Sequence, residues 1–323
     1  MWKDDFVSIM SGATISLDDI ERAMTLKDEN LPAKIYKFRG FNENALSNFY
    51  SDTVWLCSAD NYNDPYECCT TIDFEALHQA ISKDNLSGFL SWGDLKEHLT
   101  QVEISQIRES NDPMRALAYS LLEKDGDIPE ERRREVVEEL VGAHLKRNND
   151  YYQRFNKRAQ KGTKICSFSE RVDSVVMWGH YADNHQGFCL EYDVKDFPPG
   201  DVRRRILYPV IYSDQLFDAT EYILQSMRYG DFNNLFGAMA AIHKSPDWAY
   251  EKEWRFVIPM GDSCKGKNYA MPQPSALYLG ARIQEDKKET LVEIARKKGV
   301  PVYEMDLSPT EFRLKPRLYE RKS

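Results

Sequence analysis

The sequence predicts an α+β protein built on a mixed, mainly antiparallel sheet with a helical insertion. Three observations lead there. Short segments rich in aromatic and β-branched residues recur between helical stretches, but without the regular strand–helix alternation of a doubly wound sheet. Residues 73–160 lose the strand signal, gain charge and space their apolar residues as helices do. The composition, 42% hydrophobic and 29% charged over 323 residues, is that of a folded chain with a sizeable core.

Residues 1–30 read as a helical lead-in, with Ser16 as an N-cap and Asp18 and Asp19 in the first turn. Lys34–Arg39 alternates and is aromatic, so it reads as a strand. A helix over Glu43–Phe49 and a second strand over Thr53–Ser58 follow, then a turn from Asn61 to Pro65. In the 73–160 block, Pro113 and Pro129 mark helix starts. The last helix is expected from Pro129 to about Gln160, closed by Gly162. Strands return at Lys164–Ser169 and at Gly187–Asp193, around a short helix from Ser174 to Ala182. Arg205–Tyr212 is expected as one strand, on an edge or bulged because of Pro209. Residues 217–243 read as helical, 253–258 and 276–280 as strands, 284–298 as an amphipathic helix and 300–305 as a last strand. The whole chain, 1–323, reads as one elaborated domain, with 164–306 as the second part of its β core.

The formal net charge of −9 gives no bulk attraction for nucleic acid. Two basic stretches, 132–158 and Arg203–Arg205, read as a solvated helix face and a basic turn. Met1 is followed by Trp2, Lys3, Asp4 and Asp5 with no apolar run, and no segment is apolar for long enough to span a bilayer. A cytoplasmic protein without membrane partners is therefore expected. The six cysteines show neither a CxxC pair nor zinc-like spacing, and His180 and His185 lack an obvious third ligand. No metal is expected.

Three regions carry the candidate chemistry. The first is 36–67. In Tyr36-Lys37-Phe38-Arg39, Lys37 and Arg39 share one face of a strand and Tyr36 and Phe38 the other. An arginine at a strand end can hold a phosphate bidentately; pairing with a surface carboxylate is the structural alternative. Asn63-Asp64-Pro65-Tyr66-Glu67 is a rigid turn that either serves the fold alone or shapes a pocket. The second region is 165–193. Ser167 and Ser169 point to one face of a strand, with His180 and Tyr181 on a short helix beyond. The third is 244–258, where Glu251 and Glu253 lie at the mouth of an apolar strand. There two carboxylates can raise each other's pKa or divide two roles.

The pieces YKFRG, NDPYE, FSE, MWGHYADNHQGFCLEYD and YEKEWRFV resemble a bacterial family catalogued as domain of unknown function 2971. More distantly, Arg on an early strand, Ser-x-Ser on a middle one and Glu-x-Glu before a late one resembles the order of Arg–Ser–Glu ADP-ribosyltransferases. The layout is also similar to that of DNA-targeting ADP-ribosyltransferase toxins. The resemblance implies a split-sheet core and NAD as substrate, with no metal. It implies that Arg39 binds a phosphate of NAD, that Ser169 or Ser167 orders the nicotinamide pocket, and that Tyr36, Tyr181 or Trp254 stacks on the nicotinamide or the target, with His180 near them. Glu253 would stabilise the oxocarbenium-like ribose and Glu251 would help activate the acceptor, a protein or nucleic acid. The chain departs from compact toxins in its Ser-Phe-Ser centre and in the insertion between Arg39 and Ser167.

Two other readings stay open. In a metal-dependent nuclease, Asp193 and Lys195 would act with Asp173, Asp183 or Asp64 as a further ligand. In a non-catalytic sensor or partner of a phage-defence or toxin-like system, Glu251 and Glu253 would pair with Arg39 or Arg255 as structural ions.

Overall fold

The computed structural model describes residues 2–91, 95–124, 126–229, 233, 235–261 and 263–320. Helices α1 (Trp2–Met10) and α2 (Leu17–Glu29) open the chain. Ser16 caps α2 in a reciprocal box with Asp19: the Asp19 amide donates to Ser16 Oγ at 3.1 Å, and the Ser16 amide to Asp19 Oδ2 at 3.3 Å. Strand β1 (Lys34–Arg39), helix α3 (Glu43–Tyr50, capped by Asn42) and strand β2 (Thr53–Ser58) follow. A 3-10 turn over Ala59–Asn61 and the short strand β3 (Thr70–Thr71) lead into the insertion.

The insertion holds α4 (Phe74–Ser91), α5 (Gln101–Glu109), α6 (Pro113–Glu123) and α7 (Glu130–Gly162). It has a cluster of its own, including Leu86, Leu90, Ile104, Ile107 and Leu117. Helix α7 differs from expectation at its end. Gly162 is its last residue, and Thr163 passes straight into β4 (Thr163–Ser169) in extended conformation. No left-handed glycine cap is needed, because the strand's own pairing takes over the backbone bonds.

Helix α8 (Val175–Tyr181), capped by Ser174, precedes β5 (Phe188–Asp193). The expected single strand over 205–212 is three pieces: α9 (Val202–Ile206), β6 (Leu207–Pro209) and β7 (Ile211–Tyr212). Pro209, lacking an N–H, closes β6, which among the described residues pairs with one neighbour, the strand over Glu253–Pro259. The expected helical stretch 217–243 contains β8 (Phe217–Asp218), α10 (Thr220–Tyr229), α11 (Phe236–Ile242) and the start of β9 (His243–Lys244), while 230–232 and 234 lie outside the described residues. After a 3-10 turn over Pro246–Glu251 come β10 (Glu253–Pro259), β11 (Lys267–Ala270), β12 (Ala276–Leu279), α12 (Glu285–Lys298), β13 (Val302–Leu307) and β14 (Leu314–Leu318). Strands β11 and β14 are additions to the expected set: β11 is polar and mostly exposed, and β14 carries Pro316 at its centre, a residue that argues against a strand. The sheet accordingly runs past residue 306.

The main sheet has the order β11-β2-β4-β1-β5-β12-β13-β14, with β10 on the other edge of β4 and β6 beyond it. Its pairs are antiparallel except β12–β13. Two cores flank it. Phe168, Tyr192, Trp254 and Phe256 face one side with α3 and α12; Ile165, Tyr208 and Val257 face the other with α1, α2 and α11.

Candidate functional site

The site begins where the sheet divides. Strands β2 and β1 use the same edge of β4: Cys57 pairs with Ile165 and Ser58 with Lys164, whereas Tyr36 pairs with Ser169. Between those points the two strands part and leave the middle of β4 without a continuous neighbour on that edge. A ladder opened this way exposes backbone groups that need partners. Lys37 supplies one, its Nζ donating to the Ser167 carbonyl at 2.7 Å. A cleft of about 400 Å³ lies in the fork.

Tyr36, Arg39, Ser167, Ser169, His180, Tyr181, Glu251 and Glu253 all line this cleft, so residues singled out in three distant regions meet in one place. The register explains much of this. Glu253 stands opposite Ser169 and Arg255 opposite Ser167, and Tyr36 also pairs with Ser169, so these side chains share a face. Helix α8 brings in His180 and Tyr181. It is followed by three successive residues of positive φ, Asp183, Asn184 and His185. Gly187 then lets β5 run beside β1, because a Cβ there would lie 2.1 Å from the Arg39 carbonyl oxygen.

One wall is cationic. Arg39 Nη2 donates to Asn48 Oδ1 at 3.2 Å, and neither Arg39 nor Lys37 forms an ion pair with a described carboxylate. The surface pairing considered for Arg39 is thus not what the fold makes.

The floor is a buried ion network. Arg255, 0% exposed, donates to Glu253 through Nε at 2.7 Å and Nη2 at 3.0 Å, and to Glu67 Oε2 through Nη2 at 2.9 Å. Lys244 Nζ bridges Glu251 Oε2 at 2.6 Å and Glu253 Oε2 at 3.1 Å. Tyr181 donates to Glu251 Oε1. Three carboxylates therefore share two cations. Burial raises the Glu67 carboxyl, with Arg255 opposing. The second raised carboxylate is Glu251. Burial, then the neighbouring Glu253, pushes its carboxyl up to about 7, with Lys244 opposing. Burial also works against ionisation of Glu253, but Arg255 and Lys244 outweigh it and hold this carboxyl well below the usual range. Burial, then Glu251, drives the Tyr181 hydroxyl well above its ordinary value, which keeps it a donor.

The two serines have different tasks. Ser169 Oγ donates to the Glu251 carbonyl at 2.6 Å and accepts from the Arg171 amide at 3.2 Å, so this buried hydroxyl holds the 3-10 turn. Ser167 is half-buried, and its Oγ donates to Tyr62 OH at 3.3 Å across the cleft. His180 Nδ1 lies 3.0 Å from Tyr250 OH at the rim. The Asn63–Glu67 turn borders the cleft and also braces the fold. Asn63 lines the cleft, while the Tyr66 amide bond to Asp64 Oδ1 at 2.9 Å helps turn Glu67 inward to Arg255.

Lys37, Lys244, Glu67, Trp55 and Tyr62 belong to the site although sequence reasoning gives them no role there. Local sequence carries no signal for Lys37, whose position matters only because the sheet forks. For Lys244 the signal is its spacing from Glu251 in a segment already rich in charge.

Asp193 and Lys195 do not join this site. They pair with each other at 2.8 Å at the far end of β5. Among the described residues, no group of three His, Cys, Asp or Glu side chains could hold a metal ion. No described helix is long and apolar enough to cross a membrane.

A family model described as protein of unknown function (DUF2971) matches residues 177–256. The match supports the resemblance to that family over this segment. It contributes His180, Tyr181, Lys244, Glu251, Glu253 and Arg255 to the cleft and its floor, and leaves out β1, β2 and β4. Comparison with curated proteins and with solved structures finds no match.

Proposed function

We propose that the cleft binds NAD and transfers its ADP-ribose to an acceptor, a protein, a nucleic acid or water. One observation carries this reading. In a single forked cleft, two cations without carboxylate partners among the described residues stand on one wall, and on the floor lie two carboxylates held in different protonation regimes. The cationic wall suits a pyrophosphate. The aromatic residues Tyr36, Tyr62 and Tyr181 suit a flat ring.

Cleavage breaks the bond between C1′ of the ribose and the nicotinamide nitrogen. The bonding pair leaves with nicotinamide, which departs neutral and needs no general acid. Positive charge gathers on the ribose, where fixed negative charge from Glu253 and ionised Glu251 stabilises it. The nucleophile then bonds to C1′ and gives up its proton. Glu251 is the group suited to take that proton, since a base works best with a pKa near the operating pH. Glu253, with both oxygens accepting from Arg255 or Lys244, supplies field and holds Lys244 in place. An enzyme that consumes NAD or marks a macromolecule would suit a toxin or phage-defence role in the cytoplasm.

The test is nicotinamide release from NAD, with and without cell extract as acceptor source. Glu251→Gln is expected to lower kcat by roughly 10²–10⁴-fold, and Arg39→Ala to raise KM. Labelled ADP-ribose on an extract component would identify transfer. No release under either condition, together with no NAD binding by calorimetry, overturns the proposal.

A further inference from the structure

Beyond Arg39 the fork continues into a second cavity of about 320 Å³. Arg39 and Trp55 line both cavities, so the two are compartments of one elongated site with the guanidinium at their junction. Each volume sits near the lower end of the range for ligand cavities, roughly 300–1,000 Å³. The wall of the second is rich in carboxamides: Asn42, Asn44, Asn48 and Asn268.

We infer that this second compartment takes the adenosine half of a dinucleotide, with Trp55 as its stacking platform; the inference builds on the NAD reading above. The hydrogen bonds indicate which groups are fixed and which are free. Asn48 is buried, and its Nδ2 donates to Thr53 Oγ1 at 2.9 Å and to Asn268 Oδ1 at 2.8 Å. Its own oxygen accepts from Arg39, so Asn48 orients the guanidinium at the junction. Asn42 uses its oxygen to cap α3, accepting from the Ala45 amide at 2.9 Å. The NH₂ groups of Asn42 and Asn268, and both ends of the Asn44 amide, have no described partner. Adenine presents a donor and an acceptor side by side, N6–H₂ and N7, which a carboxamide complements. Hypoxanthine replaces that donor with an acceptor.

Trp55 is placed for stacking. It is 44% exposed on β2, and its ring is backed by Gly266, where an added Cβ would lie 2.6 Å from Cζ2. One side of the indole is therefore held while the ring stays open to a ligand. The phosphates would cross from one compartment to the other at Arg39. The residues that read the adenosine would then come from β2, α3 and β11, outside the segment matched by the family model.

Two assays test this together. In the first, calorimetry follows binding of ADP, which carries the adenosine and both phosphates but no nicotinamide, to wild type, Trp55→Ala and Asn44→Ala. Both variants are expected to weaken it, Trp55→Ala by roughly tenfold or more. In the second, nicotinamide release is compared for NAD, for its hypoxanthine analogue and for nicotinamide mononucleotide. Wild type should favour NAD over both. Trp55→Ala should lower kcat/KM for NAD at least about tenfold more than for the mononucleotide. If ADP binds as described but no substrate releases nicotinamide, the NAD chemistry fails and the adenosine compartment stands. If ADP does not bind, or binds wild type and Trp55→Ala alike, the compartment is overturned whatever the turnover shows.

Discussion

Glu251 makes the stability of the protein depend on pH, and Glu251→Gln should remove that dependence. Its carboxyl rises from the ordinary 4.5 to about 7 on folding. Below pH 4.5 the group is protonated in both folded and unfolded chains, so it favours neither. Between pH 4.5 and about 7 unfolding releases a proton, so stability falls as pH rises. Each tenfold change in proton affinity is worth about 1.4 kcal/mol, so the complete loss is roughly 3 kcal/mol. Glu253 works in the opposite direction: its stabilising contribution is present above the ordinary carboxylate value and is lost as pH falls through its lowered one. A window from pH 5 to pH 8 reports on Glu251 through the difference between wild type and Glu251→Gln, since burial also raises the Glu67 carboxyl. Burial also lowers the titration of His144, His185 and His243 from the ordinary 6.5, which lies inside this window, but these residues are common to both proteins and cancel in the difference. The assay is urea unfolding of wild type and Glu251→Gln at unit steps across the window. The wild-type advantage should shrink by about 2.5 kcal/mol from the acid to the alkaline end, the part of the complete loss that falls inside the window. Parallel curves, with a difference independent of pH, would refute the assignment of the excess charge to Glu251.

Other consequences follow from the same network and from the strand packing. Arg255→Met leaves Glu67 and Glu253 buried against each other and should cost about 3–5 kcal/mol, lowering Tm by roughly 10 °C; adding Glu67→Gln should restore part of it, as read by thermal unfolding. Tyr181→Phe removes a donor that favours the ionised form of Glu251, so the pH midpoint of nicotinamide release should move upward. Gly187→Ala forces a Cβ against backbone atoms of Arg39 and Ala182 and should cost about 1–3 kcal/mol in urea unfolding. It should also weaken ADP binding, because it displaces the end of β1.

Much of the fold could be read from local chemistry. The capping box at Ser16, the alternation in β1 and β2, the Ser174 cap of α8 and the apolar run of β10 each act within a few residues, so each leaves a mark in sequence. The failures have physical reasons too. The 202–212 segment divides because Arg204 finds Asp28 at 3.0 Å, and because Lys27 donates to the Arg204 and Arg205 carbonyls at 2.8 and 3.0 Å. Those partners are remote in the chain. Strand β11 pairs with β2 without an apolar face to announce it, and β14 pairs with β13 although Pro316 at its centre argues against a strand.

By itself, the sequence determined the α+β class, the order of the principal elements, and the residue types gathered at the ends of β1, β4 and β10, because periodicity, capping and turn chemistry are local properties. Only the tertiary structure decided how those residues divide their work. The choice of Arg255 rather than Arg39 as the partner of Glu253, the buried position of Ser169 beside the cleft-facing Ser167, and the excess charge on Glu251 all depend on register across β4. The fork between β1 and β2, which opens the cleft and leaves Lys37 and Arg39 without carboxylate partners among the described residues, depends on two strands sharing one edge of a third. That sharing is settled by long-range pairing, which no short window of sequence contains.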